Sequence, residues 1–378
     1  MKNKTKGRAA NGMGTVRQRK DGLWEGRYTA PDGHQRSIYA KSEAEVTKKL
    51  RAAQHEIDSG AWREPSKVSV TEWLKIWLRD YCNHTTESTR TAYERFCRVH
   101  FAPVIGKIKL TKLSPVHVRH LFSVMQKEGK APKTIYTARG VLKTSLNAAV
   151  HSGIIPSNPA DGVPVPRVTR PEMHIIDRPM FSAFLSAVQQ TQYPEALIIL
   201  LLTGLRSGEL RGLMWSDIDE ARKIIHVRRQ LHTLEKGTPT ATAPKNGKSR
   251  DIIVGQEVMD TLRAQRRRLA EMKLKANNWT NDDYVFKTPS GKPLHDRALL
   301  EAVHQVAEII NMPGLHTHDL RHSYAVAALR SGIDVKTVQH NLGHATAAMT
   351  LDTYAAYTSD AGQIAAEKMS DYWKKALD

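Results

Sequence analysis

The chain has 378 residues, with 57 Lys and Arg against 38 Asp and Glu, a formal charge of +19 and a pI near 9.8. That length allows two or three domains, and that charge points to a polyanionic partner. Two cysteines make no disulfide framework and no zinc CxxC pair, the basic N-terminus lacks the apolar stretch of a signal peptide, and the run ALIILLLTGL at 196–205 is too short to span a bilayer, so a soluble cytoplasmic protein is expected.

Residues 14–40 read as three short strands joined by turns at KDG and PDG. A helix follows from Ser42, an N-cap with Glu45 three residues on. This first module carries a net +6 over residues 1–65, is too small for an enzyme and is basic enough to grip DNA. EPSKVSV, 64–70, is a linker. Four helical patterns follow. The first has Trp73, Leu74, Trp77 and Leu78 on one stripe. The second, from TESTR, ends at Pro103. The third has Ser114 as N-cap and Pro115 at its first position. The fourth runs to Gly153 as C-cap. Residues 68–170 hold a net +10, and a second linker, 154–173, has five prolines.

From about 174 the chain is mixed and its net charge falls to +2 over 171–378, which suits a site better than a grip. Helices fit RPMFSAFLSAVQQ, PEALIILLLTG and RSGELRGLMW. A strand-rich patch runs from KIIHVRRQ to SRDIIV, with EKGTPTATAPKNGK as turn residues between them, and helices resume from Gln256 to the end. The expected fold is multidomain α+β. It comprises a small strand-plus-helix N-terminal module (1–65), a four-helix domain (66–165) and a helix-rich mixed domain (172–378).

The last segment contains groups able to hold a phosphate. Arg206 follows a glycine-containing turn at the start of a helix, where its fork of donors adds to free backbone N–H groups, and Glu209 one turn on can fix it. His318 and Arg321 share a helical side in HTHDLRH. His318 and His322 also have zinc spacing, but there is no HExxH and no carboxylate is placed as a general base beside them. Lys245 and Lys248 lie in a turn before a strand. The GKS there is no P-loop, because the glycine a P-loop requires is Thr242, so nothing calls for ATP. His344 follows a glycine, and Tyr354 lies ten residues later.

In order, TGLRSGEL, APKNGKSR, HTHDLRHSYA and LGHATAAMTLDTYAAY resemble the catalytic signature of the tyrosine recombinases, the phage integrase family. The resemblance covers the chain from about residue 66. The N-terminal module is similar to the arm-DNA-binding domain of integrases from phages and conjugative transposons, and the four-helix segment to their core-binding, SAM-like domain. What the resemblance implies is a site-specific recombinase. Tyr354 would be the nucleophile, Arg206 and Arg321 would hold the non-bridging oxygens, and Lys245 would protonate the leaving 5′-oxygen. His318 would take the tyrosine proton and His344 would donate to the phosphate. Glu209 and Asp319 would support them. Lys248 is the fallback for Lys245; His322 would pack or bond locally, His316 is left unassigned, and Tyr324 and Tyr357 are decoys. No metal, ATP or other cofactor is implied, because two arginines do the charge work and the phosphotyrosyl bond keeps the energy of the broken diester.

Partners follow from the same reading. Double-stranded DNA would be bound at core-type and arm-type sites, and no membrane is involved. The protein would be mostly monomeric when free, because a +19 chain repels itself, and tetrameric on DNA, because exchange between two duplexes needs four active sites. Excision or DNA-bending accessory proteins would assist. The tail carries Ile364, Met369 and Trp373 at helical spacing, a stripe suited to docking on its own domain or on a neighbour. Two alternatives share the fold: a DNA-binding regulator that does not cut, which would be expected to lose Arg206, Arg321 or Tyr354, and a type IB topoisomerase, which has no need of two DNA-binding modules.

Overall fold

A computed structural model of the chain describes residues 14–59, 67–169, 173–233, 239–244 and 247–354, together with 366, 369, 370, 373 and 374. Lys245, Tyr357 and Ile364 lie outside the described residues, as do parts of both linkers. The chain divides into two compact units, Met1–Thr169 and Arg170–Asp378. No helix among the described residues is long and apolar enough to cross a membrane.

The first unit opens with an antiparallel meander of β1 (Thr15–Gln18), β2 (Trp24–Thr29) and β3 (Gln35–Ala40). α1 (Glu43–Asp58) packs on it, with Ser42 capping through a bond from the Glu45 N–H. Gly26 in β2 lets the helix come close: a Cβ there would stand 3.2 Å from the Val46 side chain. At the sheet, Glu25 is buried and receives Arg27, Ser37 and Arg17, which hold its carboxyl down at about 2.

The helical part of this unit holds α2 (Val70–Ile76), α3 (Glu87–Phe96), α4 (Ala102–Ile105), α5 (Pro115–Lys127) and α6 (Pro132–His151). Its core includes Trp73, Trp77, Phe101, Leu121, Phe122, Leu142 and Leu146, and the Trp73 indole donates to the Ser145 carbonyl at 3.1 Å. The expectation that the second helix ends at Pro103 is corrected. α3 passes through a π-helical stretch, Cys97–Phe101, and continues as α4 to Ile105, with Pro103 in the first turn of α4. Pro103, which has no N–H to donate, sits where the backbone ladder changes from π-helical spacing, with the Ala102 N–H bonded to the Cys97 carbonyl, to α-helical spacing. A second π-helical stretch, Trp77–Tyr81, extends α2. Ser114 and Pro115 start α5 as expected, and Gly153, at φ +68, follows the end of α6.

The second unit is built around α8 (Pro194–Thr203), whose apolar run Ala196–Leu202 turns no face to solvent, as a helix hydrophobic all round requires. Against it pack α7 (Phe181–Val188), α9 (Ser207–Arg211), α10 (Gln256–Lys275), α11 (Asp296–Ile309) and α12 (Thr317–Arg330). A small antiparallel sheet joins β4 (Ile218–Asp219) and β5 (Ile224–Val227) to β8 (Arg250–Ile253). Ile225, Val227 and Ile252 enter the core from it. β6 (Gln230–Thr233) pairs with β7 (Pro239–Thr242), so part of the segment expected to be turn is strand. α13 (Val335–Leu342) and α14 (Ala347–Tyr354) follow and pack on α12.

Candidate active site

α8 sets the position of the first arginine. It ends at Gly204, at φ +64, where a Cβ would lie 2.5 Å from the Tyr324 ring and 2.9 Å from Leu342. Both the left-handed backbone and the close neighbours therefore demand glycine. The chain re-enters a helix at Arg206. Its N–H donates to Glu209 Oε2 at 3.0 Å and its Nη1 to Oε1 at 2.8 Å, so the expected Arg206–Glu209 pairing is present. Nη2 of Arg206 donates to the Gly343 carbonyl at 3.0 Å.

α12 lies against α8 and delivers Arg321, which is 1% exposed. Nη1 of Arg321 donates to the Gly204 carbonyl at 2.8 Å and Nη2 to Leu342 at 2.6 Å. The two guanidinium groups thus rest on consecutive carbonyls, 342 and 343, at the C-terminus of α13. Carbonyls there lack intrahelical partners and carry the negative end of the helix dipole, which suits cations. Arg321 Nε is buried with no hydrogen-bond partner among the described residues.

Gly343, at φ +62, turns the chain from α13 to His344. His344 Nδ1 is 2.9 Å from the Thr350 hydroxyl, and its ring lies nearly parallel to that of Tyr354, 6.5 Å away. Tyr354 is fully buried (0% exposed), and its hydroxyl is 2.8 Å from His322 Nδ1. His322 in turn meets His318 edge-on at 4.6 Å. The structure thus gathers Arg206, Arg321, His344 and Tyr354, with His318 on the exposed side of the pair of imidazoles. The ring bonded to the tyrosine hydroxyl is His322 rather than His318, and its bond reaches across to α14 rather than staying local. The two histidines are one turn apart on the same side of α12, and the later one lies level with the end of α14.

Other expected residues take simpler places. Asp319 accepts from the His316 N–H at 2.8 Å and so caps α12. His316 Nδ1 lies 3.0 Å from the Leu315 carbonyl. Tyr324 accepts from Asn341 at 2.9 Å and packs over Gly204. Lys248 lines an open cleft of about 950 Å³ together with Arg206, Arg250, Lys336, His340 and His344. The sequence reading missed Arg250, although its place at the close of the lysine turn was a usable signal. Its Nη1 and Nη2 donate to Glu209 at 2.9 and 2.7 Å, and its Nε donates to the Asn341 carbonyl at 2.9 Å.

The charges have traceable causes. Burial pushes the Glu209 carboxyl up, but Arg250 and then Arg206 outweigh it and leave it at about 2. Burial, then the charge of Arg206, bring Arg321 down to about 9, still protonated at neutral pH. Burial, then Arg321 and Arg206, depress His344 to about 4, so its ring is neutral. Burial also lowers His322. Burial raises the Tyr354 hydroxyl to about 12 against the pull of both arginines. Such a site offers guanidinium forks for a tetrahedral anion, a hydroxyl that keeps its proton, and a neutral imidazole able to accept it. Among the described residues no cluster of three or more His, Cys, Asp or Glu could hold a metal ion.

Comparison with known proteins agrees in kind. Residues 180–360 match the model of the phage integrase family, and residues 69–126 match the phage integrase N-terminal SAM-like domain; together these span more than half of the chain. The chain is 27% identical to a XerC-like tyrosine recombinase of Caldanaerobacter subterraneus subsp. tengcongensis, over 84% of this chain and 87% of that one. It is 25% identical to the ICEBs1 integrase of Bacillus subtilis, over 88% and 90%. Among solved structures it is similar to the Tn1549 transposon integrase in complex with a circular intermediate DNA, with a TM-score of 0.68 at 22% identity, over 80% of this chain and 99% of that one.

Proposed function

The chain belongs to the phage integrase family of tyrosine recombinases and is a site-specific DNA recombinase, and from that premise we propose that it breaks and rejoins DNA through a 3′-phosphotyrosyl bond to Tyr354, to integrate and excise a mobile element. The observation that carries this reading is one buried tyrosine whose hydroxyl feels the charge of two guanidinium groups, both anchored on consecutive carbonyls.

Tyr354 Oη attacks the scissile phosphorus, and the 5′-oxygen leaves with a proton from Lys245, with Lys248 as its alternate. Arg206 and Arg321 stabilise the charge that grows on the non-bridging oxygens. His344 donates to the same phosphate. The tyrosine proton goes to the imidazole pair on α12: His322 is the ring in contact with the hydroxyl, and His318 is its neighbour toward solvent. Since Tyr354 is buried, its hydroxyl must be uncovered before it can meet DNA. The phosphotyrosyl bond then passes its phosphate to the 5′-hydroxyl of a partner strand, nearly without net energy change.

Residues 1–65 serve as an arm-type DNA-binding domain, residues 66–165 clamp core DNA, and residues 172–378 carry the chemistry. Exchange proceeds in a tetramer on paired sites, with accessory excision or bending proteins. The test uses a nicked suicide duplex bearing the element's own end. The wild type should form a covalent adduct on a denaturing gel; Tyr354→Phe should form none while shifting the same duplex in a native gel. An adduct retained in Tyr354→Phe would assign the nucleophile elsewhere.

A further inference from the structure

We infer that Arg250, the residue closing the lysine turn, is a positioning residue of strand cleavage: it neutralises Glu209 and thereby leaves the Arg206 guanidinium available to the phosphate. The inference rests on the recombinase reading above.

The Glu209 side chain is completely buried and faces two arginines. Arg206 bonds it through a single Nη, whereas Arg250 bonds it with a two-toothed fork, Nη1 to Oε1 and Nη2 to Oε2. A bidentate guanidinium–carboxylate pair is the stronger and more directional of the two. The triad carries two positive charges and one negative, so one net charge remains, and it belongs to the arginine with the greater access to the cleft. Arg206 is that residue: its side chain is 20% exposed, against 6% for Arg250. Without Arg250, Glu209 would pair with Arg206 alone, and a buried one-to-one ion pair would draw the guanidinium away from an incoming phosphate.

Arg250 also fixes three parts of the site to one another. It stands at the start of β8, directly after the lysine turn. It reaches α9 through Glu209, and α13 through the Asn341 carbonyl. Its guanidinium lies against Gly343, where a Cβ would sit 2.9 Å from Nη1 and 3.0 Å from Cζ. Gly343 in turn supplies the carbonyl that Arg206 holds. The glycine before His344 therefore answers both to a left-handed turn and to the space taken by Arg250.

The test measures single-turnover adduct formation by the full-length protein on the nicked duplex, with half-site binding by gel shift and thermal unfolding alongside. Arg250→Met is expected to slow cleavage by about 30-fold or more while half-site affinity stays within about threefold. In the Met background, Glu209→Gln is expected to restore at least about tenfold of that rate, because it removes the uncompensated charge. Arg250→Lys keeps a charge opposite Glu209 and loses the fork, so it should stay within about tenfold of wild type. A wild-type rate in Arg250→Met, or a double variant no faster than Arg250→Met, overturns the inference. If the Met variant does not fold, the lysine variant decides: a loss beyond about 100-fold in a folded protein refutes the charge-balancing role. An adduct present in the wild type and absent in Tyr354→Phe keeps the parent reading standing whatever the Arg250 variants do.

Discussion

At the scale of single residues, the site is a problem of holding positive charge where water is excluded. Arg321 is the most buried cation of the cluster, held by the carbonyls of Gly204 and Leu342. Truncating Arg321 or Arg206 to Ala should cost on the order of 100-fold or more in cleavage, roughly 3–4 kcal/mol, the scale of losing an oxyanion donor. Lysine at either place should rescue only in part, since one ammonium cannot span two acceptors in fixed geometry. Single-turnover cleavage rates check this, and full activity in either Arg→Lys variant would contradict the assigned roles. Arg206, Arg321, His344 and Tyr354 were singled out in the sequence by the resemblance of four ordered motifs to the tyrosine recombinase signature, since helical spacing alone offered only an Arg–Glu and a His–Arg pair. The contact of His322 with Tyr354, and the hold of Arg250 on Glu209, were not legible. Both cross between elements far apart in the chain, and no local period encodes such a meeting.

Elements reach their places through a few backbone devices. Gly204 and Gly343 end α8 and α13 in the left-handed region, and their own carbonyls accept from Arg321 and Arg206. Gly343→Ala should destabilise the protein by well over the ~1 kcal/mol of an ordinary glycine-to-alanine change, because φ is positive and the new Cβ meets Arg250. Gly247→Ala is the matched control: φ there is +68 and, among the described residues, nothing beyond its chain neighbours lies within 4 Å of the added carbon. Urea unfolding should rank the Gly343 variant clearly below the Gly247 variant; equal losses would mean that the Arg250 contact costs nothing. Most helices were readable from their caps and apolar stripes, such as Ser42, Ser114 and the buried run of α8. The run through Pro103 was not, because a π-helical stretch breaks the 3.6-residue period and lets a proline sit inside what is nearly one long helix. β7 was hidden for a different reason. PTAT has weak strand character, and its pairing with β6 decides its conformation.

For the whole molecule, charge and chemistry are divided along the chain. The first 170 residues hold most of the net charge, and the nearly neutral remainder holds the arginine–tyrosine cluster. Deleting residues 1–65 should therefore abolish binding to arm-type DNA and spare binding to core-type DNA. Gel shifts with separate probes test this, and equal losses on both would refute two classes of site. Both affinities should fall steeply with salt, as phosphate contacts release counterions. The central claim is that Tyr354 carries the DNA through its 3′-phosphate, and the most direct measurement is mass spectrometry of the trapped adduct. Wild-type protein is stalled on the nicked duplex in the presence of EDTA, digested with trypsin and nuclease, and the modified peptide is fragmented. The account predicts a nucleotide joined through its 3′-phosphate to the Tyr354 hydroxyl, with a free 5′-hydroxyl on the released strand. A nucleotide on any other side chain, a 5′-linked adduct, or loss of the adduct in EDTA would contradict it.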